Sequence, residues 1–321
     1  VRKIAMILVG GEALVDLVPA PGTVPGELGP LLPLPGGGPY NVAITVGRLG
    51  APVRFLSRLS TDSFGDALLR RLELSGVDTS MVQRGPEPTT LAVAGIAADG
   101  SARYSFHVEG TADREVAHPG PLPAEIKIVS LGTLSLLLEP GASRYEQLLR
   151  DHSGSGGLTV LDPNIRPAMV TDATAYRARF ASWLPDIGLL KLSIEDAAWL
   201  AGGSQGGDTD KAVAEWLSLG PAAVVLTRGG DGIVVRTAGG VEVEVPTVPT
   251  AVADTIGAGD TVHGALLSWL CHNGITTPET LRTVDADAWR AALTFAARAA
   301  SVTVSRAGAE PPYAAELAVQ S

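Results

Sequence analysis

The densest chemistry in this 321-residue sequence lies in Asp254-Thr-Ile-Gly257-Ala258-Gly259-Asp260. The stretch that follows places Val262, Leu266, Trp269 and Leu270 on one helical stripe and meets a stop signal at Asn273-Gly274. The Gly-Ala-Gly turn is therefore expected at a helix N-terminus, where free N–H groups act as about half a positive charge and favour phosphate. Asp260 falls in the first turn of that helix. As a plain cap an Asp would be commonplace, but capping does not call for two glycines ahead of it, which cost backbone entropy. A carboxylate beside an anion hole suits another task, taking the proton of a hydroxyl that attacks a phosphate.

A second glycine cluster, Leu34-Pro35-Gly36-Gly37-Gly38-Pro39-Tyr40-Asn41, opens another helical pattern. Pro39 suits the first helical position, Gly50 suits the stop, and Val42, Val46 and Leu49 form the apolar stripe. Asn41 offers both a donor and an acceptor, which suits a pair of sugar hydroxyls; glycine turns before helices are common, so this segment alone is a weak signal. Asp16, in Gly11-Glu12-Ala-Leu-Val-Asp16, follows the first apolar run. It lies at the strand end where open α/β sheets bind ligands, although a single Asp there also serves as a turn or cap. Arg166, in Asp162-Pro163-Asn164-Ile-Arg166-Pro167, follows another apolar run and could meet an anion. Thr227-Arg228-Gly229-Gly230-Asp231-Gly232 offers either a phosphate cradle or a plain turn at a further strand end.

Several chemistries are excluded. The four lysines, Lys3, Lys127, Lys191 and Lys211, do not follow a glycine, which removes the P-loop class. A dinucleotide fingerprint after the first run and a Gly-x-Ser-x-Gly nucleophile elbow are both missing. The five histidines show no metal-ligand spacing, and the single cysteine, Cys271, excludes an intrachain disulfide or a multi-cysteine zinc site. The net charge of −10 argues against nucleic acid and anionic membrane as partners. The N-terminal apolar run 4–9 is too short for a membrane span, so a cytoplasmic protein is expected.

These segments need a scaffold. Continuous apolar runs at 4–9, 128–131, 158–161, 187–192, 222–227 and 232–236 predict strands covered on both faces. Helical patterns at 39–49, 64–75, 143–151, 173–184, 194–201, 208–219 and 261–273 alternate with them, and a further helix runs through 291–300. The result is an α/β fold: one domain over residues 1–321, with a mostly parallel central sheet and helices on both faces. Residues 12–35 and 89–108 break the rhythm. The latter reads as two strands joined at Asp99-Gly100, with Tyr104, Phe106 and Val108 on one face and a wet opposite face. Such a flap is either a small β lid over the site or an edge extension without function.

In sequence and order these motifs resemble those of the ribokinase-like (PfkB-type) sugar kinases, from about residue 7 to 313. Gly11-Glu-Ala-Leu-Val-Asp16, Asp162-Pro-Asn-Ile-Arg166-Pro and Lys191-Leu-Ser193-Ile-Glu195-Asp196 look most like the fructokinase branch. The resemblance implies ATP-dependent phosphorylation of a sugar's primary hydroxyl with Mg²⁺, and with K⁺ in many members. It makes Asp260 the general base and residues 257–259 the anion hole. Asp16, Gly37, Gly38 and Asn41 fall on the sugar side, joined by Tyr104 and Arg166. Thr227, Gly229 and Gly232 fall at the nucleotide phosphates, with Lys191 and Ser193 nearby. Asp254 matches a monovalent-cation ligand, and Mg²⁺ is expected near Asp196, where Ser193-Ile-Glu195-Asp196 replaces a common Asn-x-x-Glu. Gly38 stands where some relatives aim a polar side chain at the sugar. Relatives often form homodimers through their lids. The alternative is a 2-keto-3-deoxygluconate kinase, its substrate's carboxylate held by Arg166, Arg103 and Tyr104, or another PfkB-type sugar kinase; ribokinase and nucleoside kinase fit the Glu12–Asp16 motif less well. A catalytically silent sugar-binding regulator is disfavoured by the intact Asp260 and 257–259.

Overall fold

The structure is a computed structural model that describes residues 5–24, 29–96, 102–202 and 208–318. Its strands, in chain order, begin with β1 (Met6–Gly10), β2 (Leu14–Pro19), β3 (Leu31–Gly36), β4 (Val53–Leu56) and β5 (Arg58–Ser60). Then come β6 (Gln83–Gly85), β7 (Leu91–Ile96), β8 (Ala102–His107), β9 (Ile126–Gly132) and β10 (Leu158–Asp162). Last are β11 (Leu189–Ser193), β12 (Ala223–Thr227), β13 (Ile233–Thr237) and β14 (Glu242–Val245). An eight-stranded sheet runs β14-β13-β12-β11-β10-β9-β1-β4. Neighbours are parallel from β12 through β4, and only β13 and β14 at one edge run antiparallel.

Side-chain alternation explains why the apolar runs are continuous. Ile7, Val160, Leu189 and Val225 face a core shared with the helices Gly38–Arg48, Ala258–His272 and Ala286–Val304. Leu8, Leu161, Leu190 and Val224 face a second core on the other side, against Gly141–Gly154, Ala173–Trp183 and Thr209–Leu219. Both faces are therefore dry, as a parallel sheet requires.

The helix Ala258–His272 departs from expectation. It is buried on nearly every side, from Thr261 through Ser268, rather than along one stripe, and Trp269 is only partly covered. The helices Gly38–Arg48 and Ala286–Val304 flank it, so no face meets bulk water along most of its length. Gly274, at φ +71, follows its end as the stop signal predicts.

A four-stranded second sheet, β3-β2-β7-β8, rises from the carboxyl end of β1. It is mixed: β2 pairs parallel with β7 and antiparallel with β3, and β7 with β8 antiparallel. The Pro/Gly-rich passage contains β3, whose Pro33 and Pro35 are tolerated because it is an edge strand. The expected turn at Asp99-Gly100 and the side chain of Arg103 lie outside the described residues. On β8 Tyr104 is 45% exposed, so the expected division into one covered and one wet face holds only toward its end, where Val108 is buried.

Candidate active site

Gly257 caps the helix Ala258–His272 in the left-handed region at φ +77, and a Cβ there would stand 2.6 Å from Ala309 Cβ. Only glycine fits that turn. The first-turn N–H groups have no intrahelical acceptors, although Ala258 N–H keeps a long 3.3 Å contact to Thr255 O. Gly257, Gly259 and Asp260 line a cleft of about 730 Å³ between the two sheets, at the carboxyl end of the parallel strands.

Asp260 does not cap its own helix; its Oδ2 accepts a 2.9 Å hydrogen bond from Asn41 Nδ2. Asn41 sits on the helix Gly38–Arg48, which begins at Gly37, so the two glycine motifs meet in one bond. Desolvation by the surrounding protein raises the Asp260 carboxyl above the usual Asp range, and the Asn41 hydrogen bond opposes it. Each glycine ahead of Asn41 sits close to a neighbour, and at Gly37 that neighbour is backbone. A Cβ at Gly36 would overlap Asp16 Oδ2; one at Gly37, where φ is +107, would stand 2.7 Å from Glu12 O. One at Gly38 would meet Thr133 Cγ2 at 2.7 Å.

Asp16 projects from β2 into the same cleft, and Tyr104 and Phe106 enter from β8 with their rings stacked at 6.3 Å. Burial raises the Asp16 carboxyl to about 6, held back by the charge of Arg166. Arg166 is exposed and tethered by Nη1 to Asn164, donating to its O at 2.9 Å and its Oδ1 at 2.7 Å.

At the other end of the cleft lie Lys191, Ser193, Asp196, Thr227 and Asp254. Lys191 is buried and pairs with Asp162 at 2.6 Å. Burial would raise Asp162, but Lys191 and then His263 overcome it and hold the carboxyl at about 2. Ser193 Oγ caps the next helix at Asp196 N, and Asp196 Oδ1 accepts from Ile165 N–H at 3.0 Å. Asp254 accepts the N–H groups of Ile256 and Gly308 at 3.0 and 2.9 Å.

Not every expected residue borders the cleft. Gly229 and Gly232 lie in the turn after β12, outside its lining, and Gly232 is glycine for backbone reasons: φ is +95 and a Cβ would overlap Val245 O. Ala258 also stays outside the lining.

Residues outside the expected set do line it. Glu12 is 4% exposed; its Oε1 accepts from Thr133 Oγ1 and its Oε2 from Ser135 N–H at 3.0 Å. Burial pushes its carboxyl up to about 7 against those bonds. Thr133 is a β-branched residue at φ +61, a strained backbone of the kind that clusters at functional sites. Arg71 also borders the cleft, and with Arg48 it clamps Glu310 at 2.7 and 2.8 Å. That pair anchors the loop whose Ala309 and Gly308 touch Gly257 and Asp254. Glu12 was legible as part of the Asp16 motif; nothing local in the sequence marks Thr133, Arg71 or Glu310.

Comparison with known proteins gives the family. Residues 5–315 match the description "pfkB family carbohydrate kinase". A fructokinase from Rhizobium leguminosarum bv. trifolii is 37% identical over 287 residues, 89% of this chain and 86% of the relative. A solved fructokinase from Xylella fastidiosa with bound ATP superposes with a TM-score of 0.87 at 26% identity, over 100% of this chain and 99% of that one. Aminoimidazole riboside kinase from Salmonella enterica, complexed with aminoimidazole riboside and an ATP analogue, gives a TM-score of 0.80 at 25% identity. It covers 98% of this chain and 99% of that one. With residues 5–315 matched and a relative 37% identical over 89% of its length, the chain belongs to the PfkB family of carbohydrate kinases.

Proposed function

We propose that this protein is an ATP-dependent fructokinase. The observation that carries the reading is the bond between Asn41 and Asp260, which sets a sugar-reading amide and a carboxylate at the mouth of a helix N-terminus. The relatives above supply the choice of sugar, since the Rhizobium and Xylella proteins are fructokinases. Asp16, Gly37, Gly38 and Asn41 bind the sugar, with Tyr104 closing over it. The primary hydroxyl gives its proton to Asp260 as its oxygen bonds to the γ-phosphorus. The bond from that phosphorus to the β–γ bridging oxygen breaks, and ADP leaves with the electron pair. The amides 257–259 receive the developing charge, and Lys191, Ser193 and Thr227 hold the phosphates, with Gly229 and Gly232 shaping the turn beside them. The second sheet acts as a lid within one kinase domain and keeps water, the competing acceptor, from the phosphate.

Mg²⁺ would be held here mainly by Asp196 and would supply charge that offsets the phosphates. No cluster of three His, Cys, Asp or Glu among the described residues forms a cage, while Asp196 borders the phosphate end and burial disfavours its charge until a cation is near. Mg²⁺, when bound, neutralises phosphate charge. Asp254 suits a K⁺ site, its carboxylate steered by two backbone amides. Leu31, Leu32 and Leu34 stand 39–44% exposed on β3, which supports a homodimer through the lid. Among the described residues no helix is long and apolar enough to cross a membrane.

The competing substrate, 2-keto-3-deoxygluconate, would place a carboxylate at Arg166. That guanidinium already serves Asn164 and acts on Asp16, which favours a neutral sugar. A coupled ADP-release assay with both sugars separates the two; preference for the sugar acid overturns the fructose assignment, and sugar binding without ADP release overturns catalysis.

A further inference from the structure

Behind the phosphate end of the cleft, Lys191 is backed by buried polar side chains, Asp162, His263 and Ser130, to which the transfer step assigns no role. Lys191 on β11 and Asp162 on β10 occupy adjacent parallel strands, with Nζ 2.6 Å from Oδ2. His263, on the helix Ala258–His272 and three residues after Asp260, turns Nδ1 toward the same Oδ2 at 3.6 Å. Its Nε2 lies 2.8 Å from Ser130 Oγ on β9. The side chains of Lys191, Asp162 and His263 are 5%, 8% and 2% exposed. Such a chain is costly to bury unless its charges are paired and held.

The arrangement aims one group at the reaction. A Cβ on Gly259 would stand 3.4 Å from Lys191 Nζ, so the ammonium lies against the backbone of the anion hole. An ammonium carries three donors, and Asp162 takes one of them. A free lysine in this position would have a better partner than phosphate, because Asp260 and Asp196 both feel its charge. An ion pair with Asp260 would cost the enzyme its base. Asp162 prevents that pairing by holding Nζ beside Gly259, and its own charge offsets that of Lys191 at Asp260.

The geometry points to Asp162 as the positioning residue for the Lys191 ammonium at the anion hole, with His263, hydrogen-bonded to Ser130, standing 3.6 Å from the same Oδ2. This rests on the assignment of Lys191 to the phosphates. The test is a double-mutant cycle on the full chain with Asp162→Asn, Lys191→Met and the pair combined, measuring kcat and both KM values with fructose and ATP. Asp162→Asn is expected to lower kcat about 10²-fold, as loss of one aimed donor does, with the sugar KM changed less than about twofold. In the Lys191→Met background the same substitution is expected to cost nothing more, because the group it positions is gone. A loss from Asp162→Asn that persists in full in that background assigns Asp162 a structural role only and overturns the proposal. Near wild-type turnover of Lys191→Met overturns the phosphate assignment of Lys191 instead. Should Asp162→Asn fail to fold, His263→Gln enters the same cycle, since its amide reaches Ser130 but leaves Asp162 unsupported. A three- to tenfold loss that vanishes with Lys191→Met supports the proposal, and an undiminished loss overturns it.

Discussion

Replacing Asp260 by Asn separates the base from everything else the residue does. The carboxamide has nearly the shape of the carboxylate, and its oxygen can still accept the hydrogen bond that Asn41 Nδ2 now gives at 2.9 Å. Its other arm becomes an NH₂ that cannot take a proton from a sugar hydroxyl. Loss of a general base costs about 10²- to 10⁴-fold, about 3–5 kcal/mol in the barrier. Sugar binding, by contrast, should change only a few-fold, because the contacts of Asp16 and Asn41 persist. Stability gives an independent readout. The protein raises the Asp260 carboxyl above its ordinary value, so the folded state binds this proton more tightly than the unfolded chain does. The stability from that proton is complete at low pH and is lost as pH rises through the folded value. Asp260→Asn removes that loss, and its melting temperature relative to wild type should be higher at pH 8 than at a pH below the ordinary Asp value of 3.8. The measurements are coupled ADP release, sugar titration by calorimetry and thermal melts at both pH values. Turnover within threefold of wild type refutes the assignment of the base. Loss of sugar affinity as large as the loss of rate shows that Asp260 acts mainly in binding.

Four further outcomes follow from the geometry. The Asp16 carboxyl, raised to about 6, should lose its charge as pH falls, so the sugar KM should climb below that pH in a pH series; Asp16→Asn should raise it about 10- to 100-fold and flatten the dependence. Gly36→Ala puts a methyl onto Asp16 Oδ2, and should raise the sugar KM with little change in melting temperature. Gly257→Ala meets both a φ of +77 and Ala309, and should cost about 1–3 kcal/mol in urea unfolding while lowering kcat more than it raises the sugar KM. Glu12, raised from 4.5 to about 7 by burial, should make the wild type about 3 kcal/mol less stable at pH 8 than at pH 4 through this group alone. Urea unfolding of Glu12→Gln at those pH values should show that slope removed.

The central strands are legible in the sequence because both their faces are dry, which forces continuous apolar runs at β1 and β9 through β13. The edges are harder to read. In β4 Arg54 interrupts the run, and in β14 Glu242 and Glu244 alternate with Val243 and Val245, since an edge strand need not be apolar on both sides. The prolines of β3 hide a strand for the same reason. The site divides similarly. Its glycine turns are readable because backbone conformation and close approach admit little else, whereas Gly232 shows that the same need arises without a ligand. Thr133 takes its positive φ from the packing around Glu12, and Arg71 meets Glu310 only through the fold, so neither leaves a local trace.

The bond between Asn41 and Asp260 joins residues 219 positions apart. During synthesis Asn41 emerges from the ribosome early, while the helix Ala258–His272 that carries Asp260 follows every described strand. The helix Gly38–Arg48 must wait for that partner with its buried face uncovered. A chain cut before the helix Ala258–His272 keeps Asn41 and loses its Asp260 partner.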